Sequence, residues 1–225
     1  MNSNRRQLEI CCTTLACAMA AQRGGADRIE LCERLDLGGI TPSRELLLAV
    51  KAQLQIPVFV LVRPRGGDFH YTDSEWNLLL EQIAEAHEDG ADGIVSGALR
   101  EDGFVDLERT AQLLEVTHPL PFTFHRAFDR CREPLAGIQQ LADLGVQRIL
   151  TSGQQDTALQ GMENLRAYAE IAADRMSILV GGGVRIHNLP ELLKIASFRE
   201  FHSAAGVQGR VDEAMVSAMK RSILQ

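Results

Sequence analysis

A single-domain α/β protein, a closed (β/α)8 TIM barrel over residues 1–225, is what the sequence predicts, and three observations carry that reading. Short apolar runs alternate with helix-length segments eight times. The runs are mostly β-branched or aliphatic, as in parallel strands covered on both faces. A short pattern recurs before alternate strands: Gly25-Ala26-Asp27-Arg28-Ile29, Gly90-Ala91-Asp92-Gly93-Ile94 and Gly145-Val146-Gln147-Arg148-Ile149. No Pro/Ser/Gly-rich linker divides the chain. An open, doubly wound sheet is the competing arrangement.

The elements follow in order. Leu8 to Cys12 reads as the first strand, and Thr13 or Thr14 caps a helix to Arg23 that Gly24-Gly25 ends. The second strand is Arg28 to Cys32. Thr41 caps, and Pro42 opens, a helix to about Leu54. Val58 to Val62 is the third strand. Thr72 or Asp73 caps a long helix that ends near Asp89-Gly90. Further strands are expected at 93–96, 122–125, 148–151, 177–180 and 199–202. Their helices are expected at 106–116, 134–144, 157–172, 188–195 and 212–224. The recurrent glycine turns then lie on the amino-terminal face, where stability rather than chemistry is expected.

Composition excludes several classes. Hydrophobic residues make up 45% and charged residues 24%, ordinary for a globular protein. The net charge is −7 and the pI is about 5.4, with no basic stripe, so nucleic acid is not an expected partner. No apolar run approaches the roughly 20 residues that span a bilayer, so no membrane partner is expected. Arg5-Arg6 before the small-residue stretch ending Ala18-Met19-Ala20 mimics a signal peptide, but Glu9 interrupts it, and strand followed by helix is the better reading. The five cysteines are an odd set without framework spacing, which points to reduced thiols and a reducing compartment.

Chemistry in such a barrel gathers at the carboxyl ends of the strands. Arg63 and Arg65 follow the third strand two residues apart, so both forks are expected on one face, suited to a carboxylate or phosphate. Asp68 follows in the same glycine-rich turn. Glu9 and Cys11, then Glu30 and Cys32, each share a strand face. Two inward acids repel, so either one holds a proton, or both pair with Arg63 and Arg65 and keep them oriented, or they belong to a buried ion-pair layer. His125, emerging beside Arg126, is the expected acid–base group near neutral pH. Ser152 offers a hydroxyl. Gly181, Gly182 and Gly183, with the turn His202-Ser203-Ala204-Ala205-Gly206, occupy the place where such barrels bind phosphate.

Five motifs carry a resemblance: Ile29-Glu30-Leu31-Cys32, Gly38-Gly39-Ile40-Thr41-Pro42-Ser43, Arg63-Pro64-Arg65-Gly66-Gly67-Asp68-Phe69, Thr123-Phe124-His125-Arg126-Ala127-Phe128-Asp129 and Leu150-Thr151-Ser152-Gly153. Together they resemble the CutC copper-homeostasis family over about residues 8–206. The resemblance implies a cytoplasmic TIM barrel, often a homo-oligomer, linked to copper tolerance or copper(I) binding. Motif by motif, the thiols it implies for copper fall on Cys11 and Cys32. The family has a longer segment between the eighth strand and the last helix than this chain shows after Gly206.

Three functions are then open. One is a copper-homeostasis protein binding copper(I) at Cys11 and Cys32, since soft thiolates suit that ion. Another is a barrel enzyme acting on a small anionic or phosphorylated substrate, with Glu9, Glu30, His125 and Arg126 as catalytic candidates. Arg63, Arg65, Asp68, Ser152, the three glycines and His202 would bind that substrate. The third is a scaffold or regulator without a site of its own.

Overall fold

The computed structural model describes residues 5–207 and 210–225. Eight parallel strands close into a barrel in chain order: β1 (Gln7–Cys12), β2 (Arg28–Leu31), β3 (Val58–Leu61), β4 (Gly93–Ser96), β5 (Phe122–Phe124), β6 (Arg148–Thr151), β7 (Ser177–Val180) and β8 (Glu200–Ser203). β8 pairs back onto β1, with Leu8 opposite Phe201 and Glu9 opposite His202. That closure leaves no barrel edge unpaired and rules out the open sheet. The surrounding helices are α1 (Leu15–Arg23), α2 (Arg44–Lys51), α3 (Asp73–Glu88), α4 (Leu107–Thr117), α5 (Pro134–Asp143), α6 (Met162–Ala172), α7 (Leu189–Leu193) and α8 (Glu213–Leu224). Before α8, β9 (Gly206–Val207) and β10 (Arg210–Val211) pair antiparallel, an element absent from the sequence reading. Among the described residues no helix is long and apolar enough to cross a membrane.

Strand alternation divides the core in two. Ile10, Ile29, Val60, Ile94, Phe122, Ile149 and Phe201 are fully buried in the layer between barrel and helices. Burying each contributes about 1.5–3 kcal/mol. Cys11, Cys32, Phe59, Leu61 and Val95 form a separate cluster inside the barrel. Polar side chains share that interior, and this places the chemistry on the axis.

The recurrent glycine turns do one structural job three times. Each glycine has φ near +88°, a left-handed conformation that closes the preceding helix. The side chain two residues later then accepts from a backbone N–H within the first two residues of the preceding strand. Asp27 accepts from Leu8 N at 2.7 Å, Asp92 from Val58 N at 2.8 Å, and Gln147 from Phe122 N at 2.7 Å. The amino-terminal face is thus built for stability, as expected from its place in the fold.

Two helix starts differ from expectation. α2 begins at Arg44, because the Thr41 hydroxyl is used elsewhere: it accepts from Arg63 N and donates to Gln82. α6 begins at Met162 rather than near Thr157, because Ala158 N pairs with Gly182 O across the loops instead of entering a helix. α3 starts as read. Thr72 and Glu75 form a reciprocal capping box. Thr72→Ala is expected to cost about 1 kcal/mol in denaturant unfolding, and a change indistinguishable from zero would show that the box does not hold the helix.

Candidate functional site

The barrel interior is layered. In the deepest polar layer, the β1–β2 register sets Glu9 opposite Arg28. Arg28 donates Nε to Glu9 and Nη2 to Glu200 at 2.5 Å, and Arg148 donates Nε to the same Glu200 oxygen at 2.7 Å. Both guanidiniums pack on the Phe59 ring. Burial alone would raise the Glu9 carboxyl, but Arg28 and His202 outweigh it and hold Glu9 well below the usual carboxylate range. Glu9 therefore belongs to a structural ion-pair layer, one of the readings open from sequence. It orients neither Arg63 nor Arg65, because Arg28 is the arginine its register supplies.

One step nearer the mouth lie Cys11, Glu30, Cys32 and His202. The Sγ atoms of Cys11 and Cys32 are 3.5 Å apart. With a Glu30 oxygen, they form a buried trio whose ligand atoms all lie within 4.8 Å of one another. His202 Nδ1 is 2.7 Å from Glu9 and Nε2 is 3.7 Å from Glu30. Burial would push His202 down, yet the Glu30 charge and the hydrogen bonds to Cys11 and Glu9 hold it well above its ordinary value. Burial raises Glu30 to about 7, against the opposing charge of His202. The hydrogen bond to Cys32, then burial, push the Cys11 thiol upward.

Above these groups a cavity of about 270 Å³ opens at the carboxyl ends of the strands. Cys11, Glu30, Cys32 and His202 line it, together with Arg63, His125, Arg126, Gly182, Gly183 and Arg185. Arg63 is 5% exposed, and its fork is held by carbonyls: Nη1 donates to Leu37 and Gly39, and Nη2 donates to Gly67 at 2.8 Å. Its guanidinium lies over Phe69. Arg126 donates Nε to Asp129 and Nη2 to Ser152 Oγ. Asp129 also accepts from Thr151 Oγ1, Ser152 N and Gln154 N, so it shapes the loop after β6. Ser152 is buried in that network and supports the turn opposite it. A Cβ on Gly182, where φ is +91°, would come within 2.6 Å of Ser152 Cβ. Gly181 continues the barrel by donating to Thr151 O, which leaves Gly182 and Gly183 to face the cavity.

Three sequence expectations are corrected. Arg65 does not join Arg63 at the cavity, and Asp68 meets Arg63 only in the adjoining surface pocket. β3 ends at Leu61 and the chain bends through 64–67, so strand alternation no longer applies. Arg65 instead pairs with Glu75 at 2.5 Å and with Asp68 at 2.9 Å, outside the cavity. Glu9 and Glu30 do not orient the mouth arginines; backbone carbonyls hold Arg63. His125 is not an acid–base group near neutral pH. Its Nδ1 accepts from Ala127 N, and burial, aided by the Arg63 charge, pushes its pKa down to about 3. His202, beside Glu30 and Glu9, is the histidine held above its ordinary value.

A pH dependence follows. An unfolded histidine gains a proton below about 6.5, whereas folded His125 refuses one down to about 3. Its contribution is present above pH 6.5 and is lost as pH falls, by at most about 1.4 kcal/mol per pH unit. Glu9 begins to lose its own contribution only below its ordinary value near 4.5. Melting curves between pH 6.5 and 4.5 should therefore slope less in His125→Gln than in the wild type. Equal slopes would show that His125 is not held neutral.

Arg28 and Arg185 were missed from sequence. Arg28 was legible in principle, since Arg28-x-Glu30-x-Cys32 continues the inward face of β2. Arg185 follows the Gly181–Gly183 turn, but nothing local marks it as mouth-facing.

The CutC family model matches residues 6–207. The human protein named copper homeostasis protein cutC homolog is 46% identical over 198 residues, covering 88% of this chain and 72% of that protein. A CutC family protein of Salmonella typhimurium is 48% identical over 202 residues, covering 89% and 80%. The crystal structure of the CutC protein of Streptococcus agalactiae superposes with a TM-score of 0.84 at 33% identity, covering 88% of this chain and 98% of that one.

Proposed function

Because the chain belongs to the CutC family, we propose that it serves copper homeostasis in the cytoplasm by holding copper(I) between Cys11 and Cys32. The observation that supports this reading is the pair of buried Sγ atoms 3.5 Å apart on the floor of the cavity. Copper(I) prefers soft sulfur donors, and the donor set offers two. Both thiols must be deprotonated to bind, so metal uptake releases protons. Glu30, with its pKa raised to about 7 and within hydrogen-bond reach of Cys11, is placed to take one. Glu9 engages His202 Nδ1 at 2.7 Å and favours the protonated ring. A reducing compartment suits the chain, since its five cysteines are buried and none forms a disulfide.

The test is an oxygen-free titration of the reduced protein with copper(I) against a coloured chelator. About one copper per chain should be withdrawn from the chelator. Failure to compete at any chelator ratio would refute the copper reading.

A further inference from the structure

We propose that the cavity mouth binds a small phosphorylated carboxylic acid, with its phosphate against the Gly182–Gly183 turn and its carboxylate against Arg63 and His125. This site lies above the thiols in the same cavity and does not rest on copper.

The first observation is uncompensated positive charge. In a chain of net charge −7, Arg63 and Arg185 both line one cavity, and among the described residues neither has a carboxylate at ion-pair distance. The Arg63 fork donates to carbonyls, with the Tyr71 hydroxyl beside it and the Asp68 charge nearby but not at ion-pair distance, while Arg185 donates to Val184 O and to Ser203 Oγ at 3.4 Å. A buried guanidinium without a counter-charge is costly unless an anion supplies one.

The second observation is an orphaned donor beside Arg63. His125 Nε2 is a buried side-chain atom with no hydrogen-bond partner. Because His125 Nδ1 accepts from Ala127 N, the proton of the neutral ring sits on Nε2. Both side chains pack on Phe69; Arg63 has the Tyr71 hydroxyl beside it, so His125 Nε2 is the N–H donor left without an acceptor at the cavity wall. Carboxylate oxygens satisfy such donors.

The third lies across the barrel, on β7, opposite β3 in the strand order. Gly182 and Gly183 both have positive φ, and no acceptor among the described residues takes their N–H groups. Successive backbone donors in a turn form an anion-binding concavity. Arg126 lies beside Gly182, and Arg185 follows the turn. Two anion-binding poles on opposite sides of a cavity of about 270 Å³ select a short ligand with a negative charge at each end.

The test is calorimetry on reduced, copper-free protein with four probes: 3-phosphoglycerate, glycerol 3-phosphate, glycerate and inorganic phosphate. The proposal expects 3-phosphoglycerate to bind at least tenfold more tightly than any of the other three. Arg185→Ala, at a half-buried position, should weaken 3-phosphoglycerate and glycerol 3-phosphate tenfold or more and leave glycerate unchanged. Arg63→Lys, which keeps the charge but not the fork, should weaken 3-phosphoglycerate and glycerate and leave glycerol 3-phosphate unchanged. Cys131→Ser, outside the cavity lining, should bind all four as the wild type does. Circular dichroism confirms that each variant is folded, and Arg185→Ala decides alone if Arg63→Lys is not. Absence of binding by all four probes at millimolar concentration, or wild-type affinities in folded Arg185→Ala, would overturn the proposal.

Discussion

Replacing Arg28 with Met is expected to destabilise the protein by about 3–5 kcal/mol, the usual cost of removing one partner from a buried ion pair. Arg28 is 4% exposed and serves Glu9 and Glu200 at once. Without it, Glu9 keeps only His202, and Glu200 keeps only Arg148, among their ionic partners. Two carboxylates 1% and 8% exposed would then lack half of their compensation. In a chain of this length such a loss lowers the melting temperature on the order of 10 °C. Adding Glu9→Gln to Arg28→Met should restore part of the stability, because an amide needs no counter-charge. An Arg28→Met protein that melts with the wild type would show that the ion-pair layer is not what holds the barrel interior.

Replacing Cys11 and Cys32 together by Ser is expected to lower copper(I) affinity by more than about a hundredfold. Loss of groups that only support a metal ligand already costs about 10- to 100-fold, and a hydroxyl is a poor donor to a soft ion. Each single variant should lose most of the affinity, because one thiol cannot hold copper(I) alone against a chelator. Cys131→Ser is the control: Cys131 is also buried, but it lies beyond β5, away from the cavity lining. It should bind as the wild type does. Unchanged affinity in the double variant would remove the two-thiol site, and an equal loss in Cys131→Ser would show that folding, not ligation, is being read.

The fold was legible because its signals are local. Aliphatic runs such as 58–62 and 148–151 fall on strands to within a residue. The recurrent glycine turns mark the amino-terminal face, and their Asp or Gln caps a strand each time. At the site, period-two alternation brought Cys11, Glu30 and Cys32 together correctly, since it holds along β1 and through the end of β2. It failed for Arg65, because alternation stops where the chain bends after β3. The partner of Glu9 depends on register between strands, which no single strand carries, and so Arg28 went unread. The state of His125 depends on how completely Phe69, Phe124 and Arg63 enclose it, and that enclosure comes from loops distant in sequence. His202 gains its charge in the same way, from acids on β1 and β2.

The most direct measurement of the central claim is X-ray absorption at the copper edge, on reduced protein loaded with one equivalent of copper(I) without oxygen. A first shell of two sulfur scatterers is expected, reduced to one in Cys32→Ser. A shell of nitrogen and oxygen alone, or a sulfur shell unchanged in that variant, would contradict it.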